Sequence, residues 1–327
     1  MVENVATLRG ATHDGPATTI ARGASGTFFL FDAADRRVKV FGKDGRLLRT
    51  IGKRGGGPGE YELVRNLLVG TDGHLTIIDG SLGRRSEFEP NGTFIRSTPI
   101  PVQGGMGMSA VLLPDGQLIV NSLLRGERDA GFALQRLNLV GVRTALVDES
   151  DFDFRKKWLQ HRALWIQPNG DLFVVRPYSF TIDIYSKDLR KRASITRVAD
   201  WLPSVLPRNH PGDGVFNEPY TPRLRAVWLD AAGLLWLHIM LPSQAWKAVD
   251  PPRAGRPPSD DSIAALASRA RIETIVEAID LSQRRVVARL RINGSLGLPF
   301  GGGYFSMAVE DSVGEPSVEI RRVDLRR

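Results

Sequence analysis

The sequence predicts an all-β fold, a six-bladed β-propeller made of four-stranded antiparallel blades. Three observations predict it. A turn glycine followed by an apolar strand recurs six times, further strands follow these repeats at similar distances, and turn-forming residues are abundant. The chain has 327 residues, of which 34 are glycine and 20 are proline, and this excess suits many short strands joined by tight turns. Repeats of this length with several strands each are typical of propellers.

The six repeats are marked by glycines at the start of an apolar strand: Gly26, Gly73, Gly116, Gly170, Gly233 and Gly303. Three of these glycines complete Asp-Gly or Asn-Gly pairs, which favour tight hairpins because both central residues of the turn take positive φ. Two more strands follow in the better-preserved repeats, as at residues 37–41 and 46–51. Each repeat therefore predicts four strands, here named a to d in chain order.

The two ends of the chain predict how the ring closes. The sixth repeat stops after its third strand, at residues 318–323, and a spare strand-like segment at residues 5–8 precedes the first repeat. We expect this N-terminal strand to supply the outer strand of the last blade, which removes an open sheet edge. The chain is predicted to be a single propeller domain, 1–327, with a loop and helix insertion at about 250–271.

The stretch from Ile51 to Tyr61 contains Gly-Pro-Gly-Glu-Tyr and follows a Phe-x-x-Asp-Gly hairpin. It resembles the Gly-Pro-Gly-Glu-aromatic element of bacterial six-bladed propellers with NHL-like repeats. The resemblance implies the fold over most of the chain, and in motif detail it covers residues 26–100. It also implies a periplasmic or other extracytoplasmic location. It implies little about activity, because function lies in sites that differ between members of one fold.

Several classes of chemistry are excluded by composition or missing motifs. The absence of cysteine excludes a disulfide scaffold, a thiolate zinc site and a cysteine nucleophile. There is no Gly-x-Ser-x-Gly nucleophile motif, and the five histidines form no close ligand pair. We therefore predict no catalytic residue, no metal ligand and no cofactor. Two alternatives stay open. One is a metal-dependent hydrolase or lactonase acting in the central channel, because Asp32, Asp79 and Asn121 end the b strands at matching positions. Such residues are also common turn formers. The other is a binder of a carbohydrate or another small ligand.

Loop lengths indicate which side of the ring binds. The long connections, at residues 53–63, 99–108, 148–160, 199–222 and 242–271, all join d to a or b to c strands and so emerge on one face. Long loops in compact domains tend to carry function. These loops are basic and aromatic, a composition enriched at protein interfaces. The predicted partner-binding residues are Lys53, Arg54, Tyr61, Lys156, Lys157, Trp158, Trp201, Tyr220 and Trp246.

The net charge of +8 narrows the class of partner. The basic pairs are scattered around the ring and no nucleic-acid-binding motif accompanies them, so nucleic acid is not expected. An acidic protein surface or an anionic membrane surface fits better. No apolar run is long enough to span a membrane, and the first residues do not read as a signal peptide. The sequence thus predicts a non-catalytic binding or scaffold propeller that docks to a partner protein, such as an exposed part of a membrane complex.

Overall fold

The computed structural model describes residues 1–12, 19–32, 34–101, 109–122, 131–149, 152–153, 162–167, 169–198, 222–243, 272–310 and 314–325. Within these ranges the chain forms 26 strands and no helix. The strands build six four-stranded antiparallel sheets and one two-stranded parallel ribbon. The predicted fold class, a six-bladed propeller of four-stranded blades, is confirmed.

The first three blades follow one another along the chain in a to d order. Blade 1 contains β2 (Ile20–Arg22), β3 (Phe28–Asp32), β4 (Arg37–Phe41) and β5 (Leu47–Ile51). The ribbon β6 (Lys53–Arg54) and β7 (Glu60–Tyr61) comes next. Blade 2 contains β8 (Val64–Val69), β9 (Leu75–Asp79), β10 (Arg84–Phe88) and β11 (Phe94–Pro99). Blade 3 contains β12 (Ser109–Leu112), β13 (Leu118–Asn121), β14 (Leu134–Leu137) and β15 (Arg143–Val147).

The last three blades complete the ring. Blade 4 contains β16 (Ala163–Ile166), β17 (Leu172–Arg176), β18 (Thr181–Tyr185) and β19 (Lys191–Thr196). Blade 5 contains β20 (Arg223–Leu229), β21 (Leu235–Pro242), β22 (Ile272–Asp280) and β23 (Arg285–Asn293). Blade 6 contains β24 (Leu298–Gly301), β25 (Tyr304–Glu310), β26 (Pro316–Val323) and, as its outer strand, β1 (Val2–Arg9).

Ring closure has the predicted form. β1 pairs antiparallel with β26, from Val2 opposite Val323 to Arg9 opposite Ser317. The six a strands, β2, β8, β12, β16, β20 and β24, each contact the next, and β24 contacts β2. The a strands therefore surround the central channel. The first and last strands share one blade, so the ring is held shut by a backbone ladder.

The core consists of apolar layers between neighbouring blades. One layer joins blades 1 and 2 and includes Val38, Val40, Leu67 and Leu75, all buried. The b strand of blade 2, Leu75–Asp79, is buried at every position. A b strand has a neighbouring blade on each side, so both of its faces are covered and its sequence is mainly apolar.

The repeat predicts c and d strands in blade 3, but the sequence does not show where they lie. The structure places them at β14 and β15, whose apolar–polar alternation is weak. The predicted insertion at about 250–271 lies outside the described residues, so a single domain over 1–327 stays a prediction. In the described part of the chain, no helix is long and apolar enough to cross a membrane.

Candidate functional site

The two faces of the ring differ in the length of their connections. On the face that carries the a–b and c–d turns, at most five residues separate consecutive strands, as between Arg22 and Phe28. On the opposite face the connections between strands reach from Val147 to Ala163, from Thr196 to Arg223 and from Pro242 to Ile272. We call the face with the a–b and c–d turns the short-turn face, and the face with the b–c and d–a connections the long-loop face. All the long connections begin and end on the long-loop face.

One long connection of the long-loop face is described throughout, the glycine-rich loop between β5 and β8. Its ribbon pairs Lys53 with Glu60. The Arg84 guanidinium closes the loop by donating hydrogen bonds to the carbonyls of Gly56, Gly57 and Glu60, at 3.0, 2.8 and 2.8 Å. With so many bonds from one side chain, the loop has a defined shape before any partner arrives.

Tyr61 holds this loop to the core and lies only 1% exposed. Its hydroxyl donates to the carbonyl of Ile51 at 2.6 Å and accepts from the N–H of Val38 at 2.7 Å. Gly52 has φ of 64°, and a Cβ there would lie 2.5 Å from the Tyr61 ring. The prediction that Tyr61 contacts a partner is therefore not supported, because its ring packs between blades 1 and 2.

The other predicted partner-binding residues divide into two groups. Lys53 and Arg54 project from the ribbon, with side chains 66% and 61% exposed. They pair with Glu60 at 3.2 Å and Glu62 at 3.1 Å, surface ion pairs that a partner can displace at low cost. Six predicted residues lie outside the described part of the chain: Lys156, Lys157, Trp158, Trp201, Tyr220 and Trp246.

The b-strand carboxylates are used by the fold. Asp79 is 1% exposed and accepts backbone N–H bonds on two sides. Glu62 and Leu63 donate from the incoming loop at 2.6 and 3.3 Å, and Ser81 and Leu82 donate from the following turn at 2.8 and 2.9 Å. Asp79 thereby ties the d–a connection to the b–c turn of the same blade.

Asp32 has the same role in blade 1 and also holds a lysine. It accepts from the N–H and hydroxyl of Thr12 at 3.0 and 2.7 Å, and from the Lys39 ammonium at 2.8 Å. Burial by itself raises the pKa of Asp32, but the bonds from Lys39 and Thr12 lower it more, so the net pKa lies below the ordinary 3.8. Burial by itself lowers the pKa of Lys39, but Asp32 and Asp35 raise it more, to a net value above 10.5.

The Asp32–Lys39 pair predicts a pH dependence of stability. The carboxylate stabilises the fold fully above about pH 3.8, and this stabilisation is lost as the pH falls through its lower folded-state pKa. The ammonium contributes fully below about pH 10.5, and its part is lost as the pH rises through its higher folded-state pKa. Urea unfolding across pH should show the wild type losing more stability at both extremes than the D32N/K39M variant. Parallel curves would contradict this role.

Asn121 completes the set in blade 3. Its amide nitrogen donates to the carbonyl of Ala133 at 2.7 Å, and its oxygen accepts the N–H of Arg162 at 2.9 Å. In the described ranges, no group of three or more His, Cys, Asp or Glu is placed to hold a metal ion. The Asp32 and Asp79 carboxylates accept bonds from the connections of their own blades, and the Asn121 oxygen accepts from Arg162, just before blade 4. This arrangement gives the metal-dependent alternative no support.

The channel opens on the short-turn face as a cavity of about 400 Å³. Its lining is mainly apolar and comes from the a strands and their turns: Val69, Leu112, Trp165, Ile166, Val227 and Leu229, with others. Of the residues that the structure describes, no carboxylate lines this cavity.

A basic cluster that sequence analysis did not single out lies at the other end of strand β20. It contains Arg223 and Arg225, near the long-loop face, together with Tyr178 and the fully buried His238. Arg223 donates to the Tyr178 hydroxyl at 3.3 Å. The sequence signal for this cluster is the alternation of Arg223 and Arg225 along one strand. The repeat pattern does not show where that strand, β20, lies, so the cluster was not predicted.

A profile of the DUF5128 family, described as a 6-bladed beta-propeller, matches residues 21–188, slightly more than half of the chain. The chain belongs to this six-bladed propeller family. No match to a curated protein sequence was found.

Solved structures resemble this family member along nearly its whole length. A candidate exported protein from Bacteroides fragilis has a TM-score of 0.61 at 14% identity, covering 99% of this chain and 96% of its own. A DUF4221 member from Bacteroides vulgatus also has a TM-score of 0.61, at 10% identity, covering 99% and 98%. Identities this low show a shared fold and carry no activity from one protein to the other.

Proposed function

We propose that this propeller is a non-catalytic binding or scaffold protein that docks to a partner protein through its long-loop face. The observation that carries the proposal is the asymmetry between the faces. One face is reduced to turns of at most five residues, while the other carries every long connection. A rigid scaffold that places its variable loops on one side is the usual arrangement of a binding surface.

The described part of that face supports the proposal. The glycine-rich loop is held by Arg84 and Tyr61, so it loses little conformational entropy when a partner binds. Lys53 and Arg54 present positive charge at its surface. With the net charge of +8, this favours a partner with an acidic surface.

The proposal also covers the location, the role and the repeat type of this protein. We propose that it lies outside the cytoplasm, that it is an accessory subunit of a membrane complex, and that its repeats are of the NHL type. The similarity to a candidate exported protein and the absence of cysteine are compatible with that location. Fractionation of the source cells tests it directly, and recovery of the protein with cytoplasmic markers alone would contradict it.

A charge reversal on each face tests the docking surface. The K53E/R54E variant should lose at least about tenfold in recovery of the cross-linked partner from source-cell membranes, because rim charges steer association. The matched control is K43E/R46E, in the c–d turn of blade 1 on the short-turn face, where Arg46 is 87% exposed. The control should bind like the wild type. Equal recovery from both variants, or a protein that stays alone after mild cross-linking, would refute the proposal.

A further inference from the structure

The start of strand β20 contains a bulge that removes Arg225 from the sheet ladder. Leu224 pairs with Ile239 and Ala226 pairs with His238, so Arg225 has no opposite residue on β21. The bulge allows both Leu224 and Val227 to pack against blade 4. A bulge re-aims the side chain of the extra residue and is frequent beside binding sites. Here the extra residue is an arginine on a strand that lines the channel.

The Arg225 guanidinium is partly buried, and the described residues supply no counterion to it. Its Nε is buried and has no hydrogen-bond partner, and no carboxylate of the described residues forms an ion pair with Arg225. The residue as a whole keeps part of its surface accessible. Other arginines have carboxylate partners. Arg162, 2% exposed, pairs with Glu149 at 2.9 Å. Arg289, which lies in blade 5 like Arg225, pairs with the buried Glu277 at 2.6 Å.

The groups beside Arg225 do not neutralise it. Burial, and then the charge of Arg225, lower the pKa of Arg223 to about 10. Burial, and then the charges of Arg225 and Arg223, lower the pKa of His238 to about 3, so its imidazole is neutral at physiological pH. Tyr178 contributes a hydroxyl that accepts a hydrogen bond from Arg223. Among the described residues, the neighbours of Arg225 thus bring a second positive charge and no carboxylate.

His238 adds a second unsatisfied group. It is 0% exposed, its ring lies 5.0 Å from that of Phe305, and neither ring nitrogen has a hydrogen-bond partner. Burying an imidazole without hydrogen-bond partners costs free energy for each unpaired polar atom. In the described part of the chain, unpaired polar atoms and a cation without a carboxylate partner thus lie in one region, which destabilises the unliganded protein and favours a bound anion.

We propose that Arg225, with Arg223 and Tyr178 beside it, forms an oxyanion site for a carboxylate or phosphate group at the long-loop end of the central channel. The guanidinium offers planar donors that match both groups. The site is independent of the proposed docking function, since it uses none of the residues of the glycine-rich loop. The channel therefore has a basic end on the long-loop face and a mainly apolar end on the short-turn face.

The test compares thermal unfolding of four proteins, the wild type and three variants, in chloride, inorganic phosphate and succinate at one ionic strength. The wild type should gain a saturable rise in Tm, of about 2 °C or more, with at least one of the two oxyanions. The R225M variant should lose this response and, in chloride, should melt no lower than the wild type, because a partly buried charge that no described carboxylate pairs with is removed. R291M is the matched control, since Arg291 pairs with Glu273 in the same blade. It should melt lower and keep the anion response.

The anion that raises the Tm of the wild type identifies the chemical group that the site binds. A response to phosphate alone assigns a phosphate group, and a response to succinate alone assigns a carboxylate. The proposal is overturned if the wild type responds to neither, or if R225M responds as the wild type does. It is also overturned if R225M melts well below the wild type, because Arg225 would then have a structural counterion. The K53E/R54E variant should keep the anion response, which separates this site from the docking surface.

Discussion

Replacing Tyr61 with alanine is expected to lower the free energy of unfolding by about 4 kcal/mol, because the change creates a large cavity and removes two hydrogen bonds. The ring lies 5.9 Å from that of Phe31, edge to face, and fills the layer between blades 1 and 2. Its hydroxyl bridges Val38 and Ile51, the residues that end the ladder between β4 and β5. Equilibrium urea unfolding at neutral pH measures the loss.

The Y61F variant separates the two contributions. It keeps the ring and removes the hydroxyl, so about 1–3 kcal/mol should be lost, from the N–H of Val38 and the carbonyl of Ile51 left without a partner. If Tyr61 instead served a partner surface, both variants would be as stable as the wild type and only cross-linking to the partner would fall. That result would contradict the packing role.

Asp79→Ala is expected to cost about 3–5 kcal/mol, because four backbone N–H groups lose one carboxylate acceptor. The loss should be the same with and without a chelator, since the carboxylate serves the backbone and not a metal ion. Thermal and urea unfolding, each repeated with and without EDTA, measure it.

Asp44→Ala is the matched control for Asp79. Asp44 is an exposed turn carboxylate that accepts one backbone bond, from the N–H of Arg46 at 3.2 Å, and forms an exposed ion pair with the Arg46 Nε at 3.5 Å. Its loss should therefore cost less than about 1 kcal/mol. A wild-type protein that loses several degrees of Tm on chelation, with no further loss in the Asp79→Ala variant, would revive the metal-dependent alternative. Equal small losses at the two positions would contradict the bridging role of Asp79.

The sequence predicts the exposure of the candidate surface better than its packing. Lys53 and Arg54 are predicted to be accessible because they are basic residues in a long connection, and both are exposed. Their binding of a partner stays a prediction. Tyr61 has the same sequence signal, an aromatic residue in a basic loop, yet it lies in the core. Sequence pattern does not reveal that Gly52 brings the backbone against its ring, within a distance that excludes a Cβ.

The chain by itself determined the number of blades, the b strands and the closing N-terminal strand. These depend on local signals: a turn glycine sets each hairpin, and apolar runs mark strands that are covered on both faces. Tertiary structure alone decided what the polar residues do. Asp79 and Arg225 both lie on or beside apolar strands, and the difference between them is their neighbours. Backbone N–H groups from two connections converge on Asp79, whereas Arg225 lies at a bulge where the described residues place no carboxylate beside it. Solvation and pairing are set by residues distant in sequence, so they appear only once the ring has closed.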